Sequence, residues 1–127
     1  MTNDPLRMPL VLLPKVRSPL IMATCHQCPC SMRIGTFIGI PCSGDVMGVH
    51  LDGTVGKGMG TKVSELAVVA GCDTCHKLWD GRDNRREILM KNYAAAVMQQ
   101  MLRAIVETHS RLLGAGIISV KDGEIIQ

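Results

Sequence analysis

Six cysteines in a chain with one tryptophan, one tyrosine and one phenylalanine constrain the fold more than any other feature. A core so poor in rings must be assembled from aliphatic and methionine side chains, and a metal cross-link between cysteines would do much to hold it. Two pairs have the C-x-x-C spacing, Cys25 with Cys28 and Cys72 with Cys75, and His76 follows the second pair directly. Thiolates at that spacing close on one zinc ion from a tight turn. Cys30 and Cys42 are also available, so six thiols compete for four tetrahedral positions, and spacing alone nominates Cys25 and Cys28 beside Cys72 and Cys75.

At 127 residues the chain is long enough for one domain and short for two. The reading is an extended N-terminal arm over residues 1–24, which carries four prolines, followed by a single domain over residues 25–127. The apolar run Leu10 to Leu13 ends at Pro14, which breaks the continuous core of a signal peptide. No stretch is long enough to span a membrane. A cytoplasmic location is expected, where cysteines stay reduced and bind metal. Cys-x-x-Cys-His is also the haem-attachment motif, but that chemistry accompanies export, and zinc is the preferred reading.

The fold class expected is α+β. Val46 to Leu51 reads as a strand carrying His50, and Leu66 to Ala70 as a second strand or a buried turn of helix. A helix over His76 to Asp80 would be weakened by Gly81. A longer helix runs from about Ile88 to Leu113, with Gly114 and Gly116 as its stop. The β-favouring residues between Cys25 and Cys42 suggest a short hairpin near the metal. Residues 117–126, turning at Lys121-Asp122-Gly123, suggest a small terminal hairpin. The apolar stripe of the long helix would be buried within the domain or between two copies in a homodimer.

If residues 76 to 80 are helical, His76 and Asp80 stand at i and i+4 on one face, a geometry suited to a divalent cation. A neutral His50 approaching from the strand could take a proton from water. Positive charge gathers nearby, at Lys57 and Lys62 in the glycine-rich loop Gly53 to Lys62 and at Arg82, Arg85 and Arg86 after the cysteine pair. Those residues are candidates for holding a nucleic-acid backbone, although the net charge of +3 permits such a partner without demanding it. The loop lacks the ending of a Walker motif. His26 and His109 receive no role.

These motifs, taken in order, resemble the phage and prophage nucleases of the YbcO type, a family related to the HNH, or His-Me finger, endonucleases. The resemblance runs through Cys30-Ser31-Met32-Arg33-Ile34, Cys42, Val49-His50-Leu51, Gly56 to Lys62, Glu65-Leu66, and Cys72-Asp73-Thr74-Cys75-His76 with Asp80-Gly81-Arg82. It implies a small zinc-stabilised ββα-metal core with a long C-terminal helix. His50 would be the general base, and His76 with Asp80 would hold catalytic Mg²⁺ or Mn²⁺. Cys30, Cys42, Cys72 and Cys75 would hold structural zinc, displacing Cys25 and Cys28 from that role. The implied activity is hydrolysis of phosphodiester bonds in phage or prophage DNA. The alternative is a zinc-stabilised nucleic-acid-binding or adaptor domain with a degenerate site. Val49 stands where many HNH enzymes place an acid before the histidine, and Lys77 where related chains often carry one.

Overall fold

A computed structural model describes residues 4–51 and 64–127. Its centre is an antiparallel pair, β1 (Val46–His50) and β2 (Val68–Cys72), in the register Val46 opposite Cys72 and His50 opposite Val68. Helix α2 (Asp73–Asp80) leaves β2 without a connecting loop. The sheet is covered on both faces. Val49 and Val69 enter the larger core with Met32, Ile34, Leu78, Leu89, Val97 and Met101, whereas Val68 and Ala70 enter a smaller cluster with Cys25, Met22 and Val46. Alternate residues of β2 therefore meet apolar layers on opposite sides, and all five of its positions are buried. That accounts for an unbroken apolar run where a half-exposed strand would alternate.

Helix α1 (Pro19–Cys25) supplies the smaller layer, so the end of the segment read as an extended arm is helical. The local reason is Ser18, whose hydroxyl accepts from the Ile21 N–H at 3.1 Å, followed by Pro19 in the first helical turn. A serine cap followed by proline is a strong start signal. The chain before α1 has short 3₁₀ turns at Pro5–Arg7 and Leu10–Leu12. It is tied to the segment before β2 by Val16 N–H donating to Ser64 Oγ at 2.9 Å and Glu65 N–H donating to Val16 O at 2.7 Å.

Two expected hairpins are absent among the described residues. Between Cys25 and Cys42 the chain instead makes a 3₁₀ turn at Gly35–Ile38, closed by Gly39 at φ 76°, which reverses the backbone. After Gly114 a turn forms, with Gly123 N–H donating to Val120 O at 3.0 Å, but its flanks do not pair as strands. Flanks of about three residues with no third strand or covering face are too short to hold a ladder.

Helix α3 (Arg86–Gly114) is the long helix expected, broken at Tyr93, where φ is −133° and ψ is 21°. The Tyr93 ring stacks on Phe37 with centroids 5.8 Å apart. Its buried face is Leu89, Val97, Met101, Ala104, Thr108 and Leu112, while Leu102 and Val106, apolar residues of the same helix, are exposed. No helix among the described residues is long and apolar enough to cross a membrane.

Polar side chains of α3 hold the segment that begins with Cys30. Gln100 Nε2 donates to Ser31 O at 3.0 Å, Arg111 Nη1 donates to Ser31 Oγ at 2.7 Å, and Glu107 accepts both guanidinium arms of Arg33 at 3.1 and 2.6 Å. Arg33 has φ 48°, an uncommon conformation without glycine, and the two-armed contact holds it there. The hydrogen bonds from Arg33 keep the Glu107 carboxyl below the usual carboxylate range. A depressed folded pKa stabilises the fold above the unfolded value and loses that contribution as the pH falls through the folded one. Glu107→Gln is therefore expected to lower the melting temperature at pH 7, with the gap from wild type closing below the ordinary glutamate range. Thermal melts of both proteins at pH 7 and pH 3 check this, and a gap that persists in acid would refute it.

Candidate metal centre and adjoining cleft

The corner between β2 and α2 gathers four thiols. The sulfurs of Cys30, Cys42, Cys72 and Cys75 all lie within 4.8 Å of one another, and those of Cys42 and Cys75 are 4.0 Å apart. A tetrahedral zinc with bonds of about 2.3 Å separates its sulfurs by roughly 3.8 Å, so the cluster has the donor set and nearly the spacing for structural zinc. Local backbone fixes it. Cys72 caps α2, its Sγ accepting from the Cys75 N–H at 3.4 Å, while the Cys72 N–H donates to Cys30 Sγ at 3.2 Å. Such N–H donors favour thiolate over thiol.

Three of the thiols are shifted from the usual thiol range. A hydrogen bond from Cys75 draws Cys30 down to about 4, and Cys75, donating that bond and desolvated, is pushed up. Cys42 rises to about 12 through desolvation of its sulfur and the charge of Cys30, although the residue as a whole is exposed. Zinc binding to such a cluster would displace thiol protons.

Cys25 and Cys28 lie elsewhere. Cys25 is buried in the smaller apolar layer, and burial lifts its thiol to about 11. Cys28 directs its Sγ to Thr24 O at 3.5 Å. Spacing nominated this pair, but helix α1 holds it in the smaller apolar layer, outside the four-cysteine cluster.

Gly35 permits the tight approach of the 3₁₀ turn to its surroundings, because an added Cβ would stand 2.8 Å from Ile40 O and 3.2 Å from Leu78 Cδ1. A backbone oxygen cannot rotate aside. Gly35→Ala is expected to cost about 1–3 kcal/mol, as overpacking does, read as a lower urea midpoint; an unchanged midpoint would refute the close approach.

Beside the cluster is a cleft of about 530 Å³ lined by Gly48, His50, His76, Trp79, Asp80, Arg86 and Met98. The end of β1 presents His50, α2 presents His76, Trp79 and Asp80, and the first turn of α3 presents Arg86. His76 Nε2 is 3.6 Å from Asp80 Oδ2, which is the i and i+4 pairing expected. Burial holds the His76 pKa below its usual value, more than Asp80 restores it, so the ring is neutral at neutral pH, the form that ligates metals. Its Nδ1 is buried with no hydrogen-bond partner among the described residues. The Nε2 facing Asp80 Oδ2 is the ring atom that could share a divalent cation with that carboxylate, since a neutral imidazole nitrogen and a carboxylate oxygen are both ligand atoms for such ions. Asp80 has a competing partner, however: Arg82 Nε donates to the same Oδ2 at 2.7 Å. Burial raises the Asp80 carboxyl, and the hydrogen bonds from Arg82 outweigh it and lower the pKa.

The candidate nucleic-acid residues separate into groups. Lys57 and Lys62 lie outside the described residues. Arg85 grips Asp83 through Nε and Nη2, the latter at 2.7 Å, and Arg82 is paired with Asp80. Arg86 lines the cleft, its Nε anchored on Trp79 O at 3.1 Å. Gly48, Trp79 and Met98 were not anticipated in the cleft. Trp79 was within reach of sequence reasoning, being three residues after His76 and thus on the same side of α2. Met98 depends on where α3 crosses the sheet, which no local pattern encodes.

Fold and site together define a small α+β protein in which a ββα unit carries a four-cysteine cluster and an adjoining histidine-lined cleft. A family model described as "Protein of unknown function (DUF3654)" matches residues 60–126, just over half of the chain, and the chain belongs to that family. The matched segment contains Cys72, Cys75, His76, Asp80 and the three arginines, and ends before neither α2 nor α3; His50, Cys30 and Cys42 precede it. No curated protein and no solved structure matches the chain.

Proposed function

We propose that the protein is a metal-dependent endonuclease hydrolysing phosphodiester bonds in phage or prophage DNA. The observation that carries this reading is the cleft in which His50, His76, Asp80 and Arg86 meet, on the ββα unit that the resemblance implies. His50 accepts a proton from water as the water oxygen attacks phosphorus. The phosphorus bond to the leaving oxygen breaks, and that oxygen takes a proton from solvent. Arg86, held through its Nε by Trp79 O, is placed to receive a phosphate on its remaining N–H groups. His76 and Asp80 would hold Mg²⁺ or Mn²⁺, which when bound supplies positive charge against the phosphate and the leaving oxygen. Zinc among the four cysteines would hold α2 fixed against β2 and would take no part in the chemistry.

The second reading, a nucleic-acid-binding or adaptor domain with a degenerate site, is favoured by one observation. The Asp80 oxygen that faces His76 is already held by Arg82. Incubating the purified protein with supercoiled plasmid and Mg²⁺ or Mn²⁺ separates the two. The nuclease reading expects metal-dependent nicking that chelation stops. Salt-sensitive DNA binding without nicking, on plasmid or branched DNA and with either metal, would replace it with the second.

A further inference from the structure

Helix α2 ends in a turn that brings Arg82, two residues on, back onto Asp80, its last residue. Gly81 has φ 88°, and the N–H groups of Gly81 and Asp83 both donate to Lys77 O at 3.1 Å. Between them Arg82 grips Asp80 twice, its backbone N–H on Oδ1 at 3.0 Å and its Nε on Oδ2 at 2.7 Å. That Oδ2 is also the oxygen 3.6 Å from His76 Nε2. A single carboxylate oxygen therefore faces both the imidazole with which it would share a cation and a guanidinium already in contact with it.

We propose that the Arg82 guanidinium and a divalent cation compete for Asp80 Oδ2, so that cation binding releases Arg82 to a phosphate entering the cleft. The inference rests on the nuclease reading of this site and adds the regulation of its assembly. A guanidinium nitrogen and a dication on one oxygen would stand within about 4 Å as like charges, and their repulsion in a half-buried cleft is strong. The two hydrogen bonds from Arg82 differ in this respect. The backbone bond to Oδ1 leaves Oδ2 open and keeps the carboxylate oriented after the guanidinium departs. The Arg82 side chain is 53% exposed, so it has room to swing. Freed, its planar fork matches two phosphate oxygens. Arg86 is not a competitor, since its Nε is engaged by Trp79 O, and Lys77 is paired with Asp73 at 2.9 Å. Linkage makes the coupling reciprocal, so a phosphate that captures Arg82 tightens cation binding as much as the cation tightens phosphate binding.

Mn²⁺ titration of the zinc-loaded protein, without nucleic acid, tests this by calorimetry and by loss of the free-ion EPR signal. Arg82→Ala is expected to bind Mn²⁺ about tenfold more tightly than wild type, within the usual range of coupling between sites, and Asp80→Asn to lose binding. In a His50→Ala background, which keeps a short DNA duplex intact, Mn²⁺ should tighten duplex binding less when Arg82 is also replaced. Equal or weaker Mn²⁺ binding by Arg82→Ala, with Asp80→Asn still defective, overturns the competition and leaves the nuclease reading standing. Binding that survives Asp80→Asn overturns the competition too. Absence of Mn²⁺ binding in wild type and Arg82→Ala alike overturns both.

Discussion

Cys72→Ser is expected to leave a chain with no cooperative unfolding transition, because one substitution disturbs three structures at once. Cys72 closes β2 opposite Val46, caps α2 through its sulfur and contributes one of the four clustered thiols. A structural zinc site contributes on the order of 10 kcal/mol or more, comparable to the whole stability of about 5–15 kcal/mol of an ordinary domain. With a single residue each of Trp, Tyr and Phe, the apolar core has little reserve to offset that loss. Wild type should carry one zinc per chain by elemental analysis, and stripping it with a chelator should reproduce the effect of Cys72→Ser. Cys25→Ser is the control. Its sulfur is buried outside the cluster, so it should cost about 1–3 kcal/mol for a polar atom in an apolar site and keep the zinc. Equal zinc content and melting temperature in wild type and Cys72→Ser would sink the structural-zinc assignment.

The second large effect is on the reaction. His50→Ala should lower plasmid nicking by about 10²–10⁴-fold, the usual contribution of a positioned general base, while DNA affinity and melting temperature stay near wild type. His50 ends β1, where its backbone is in register with Val68, and its side chain lines the cleft and is only partly buried. Truncation therefore leaves the sheet in place. His76→Ala should act differently, weakening Mn²⁺ binding as well as turnover, because its ring offers the Nε2 beside Asp80 Oδ2. Nicking rates across a Mn²⁺ series separate the two variants: excess metal should partly rescue His76→Ala and never His50→Ala. Equal nicking by His50→Ala and wild type would remove His50 from the reaction.

The parts of this fold that were legible in the sequence are those dictated by short-range chemistry. A strand over Val46 to Leu51, an apolar run over Leu66 to Ala70 read as strand or helix turn, and a helix through His76 and Asp80 all follow from patterns within about ten residues; β1 ends one residue earlier, β2 settles the run as strand, and α2 contains the expected helix. The choice among six thiols was different. Cys25 and Cys28 have the better spacing, yet Ser18 and Pro19 start a helix that holds them in the smaller apolar layer, away from the cluster. The resemblance, which carries a family's arrangement, pointed to Cys30 and Cys42, and the four sulfurs do converge. The β-favouring residues between Cys25 and Cys42 suggested a short hairpin, but Gly35 and Gly39 permit the 3₁₀ reversal that brings Cys42 back to Cys30, and tertiary demand overrode propensity. On α3, apolar residues occupy more than one face. Composition therefore did not reveal that Val97, Ala104 and Thr108 would be buried while Leu102 and Val106 stayed outside. The pairing of Asp80 with His76 at i and i+4 was legible, and the two side chains do meet. The capture of Asp80 by Arg82 depends on the turn geometry at Gly81 and was not legible.

Cys75 and His76 are neighbours on one helix, about 100° and 1.5 Å apart. Because α2 is fastened to the sulfur cluster at Cys72 and Cys75, the cluster acts as the bearing on which the helix is mounted, and any rotation there turns the imidazole by the same angle. The two centres are geared together. Lengthening the Cys72–Cys75 spacing by one residue would demand that the bearing and the imidazole both find new positions, so the C-x-x-C-H run behaves as one mechanical part with two working faces.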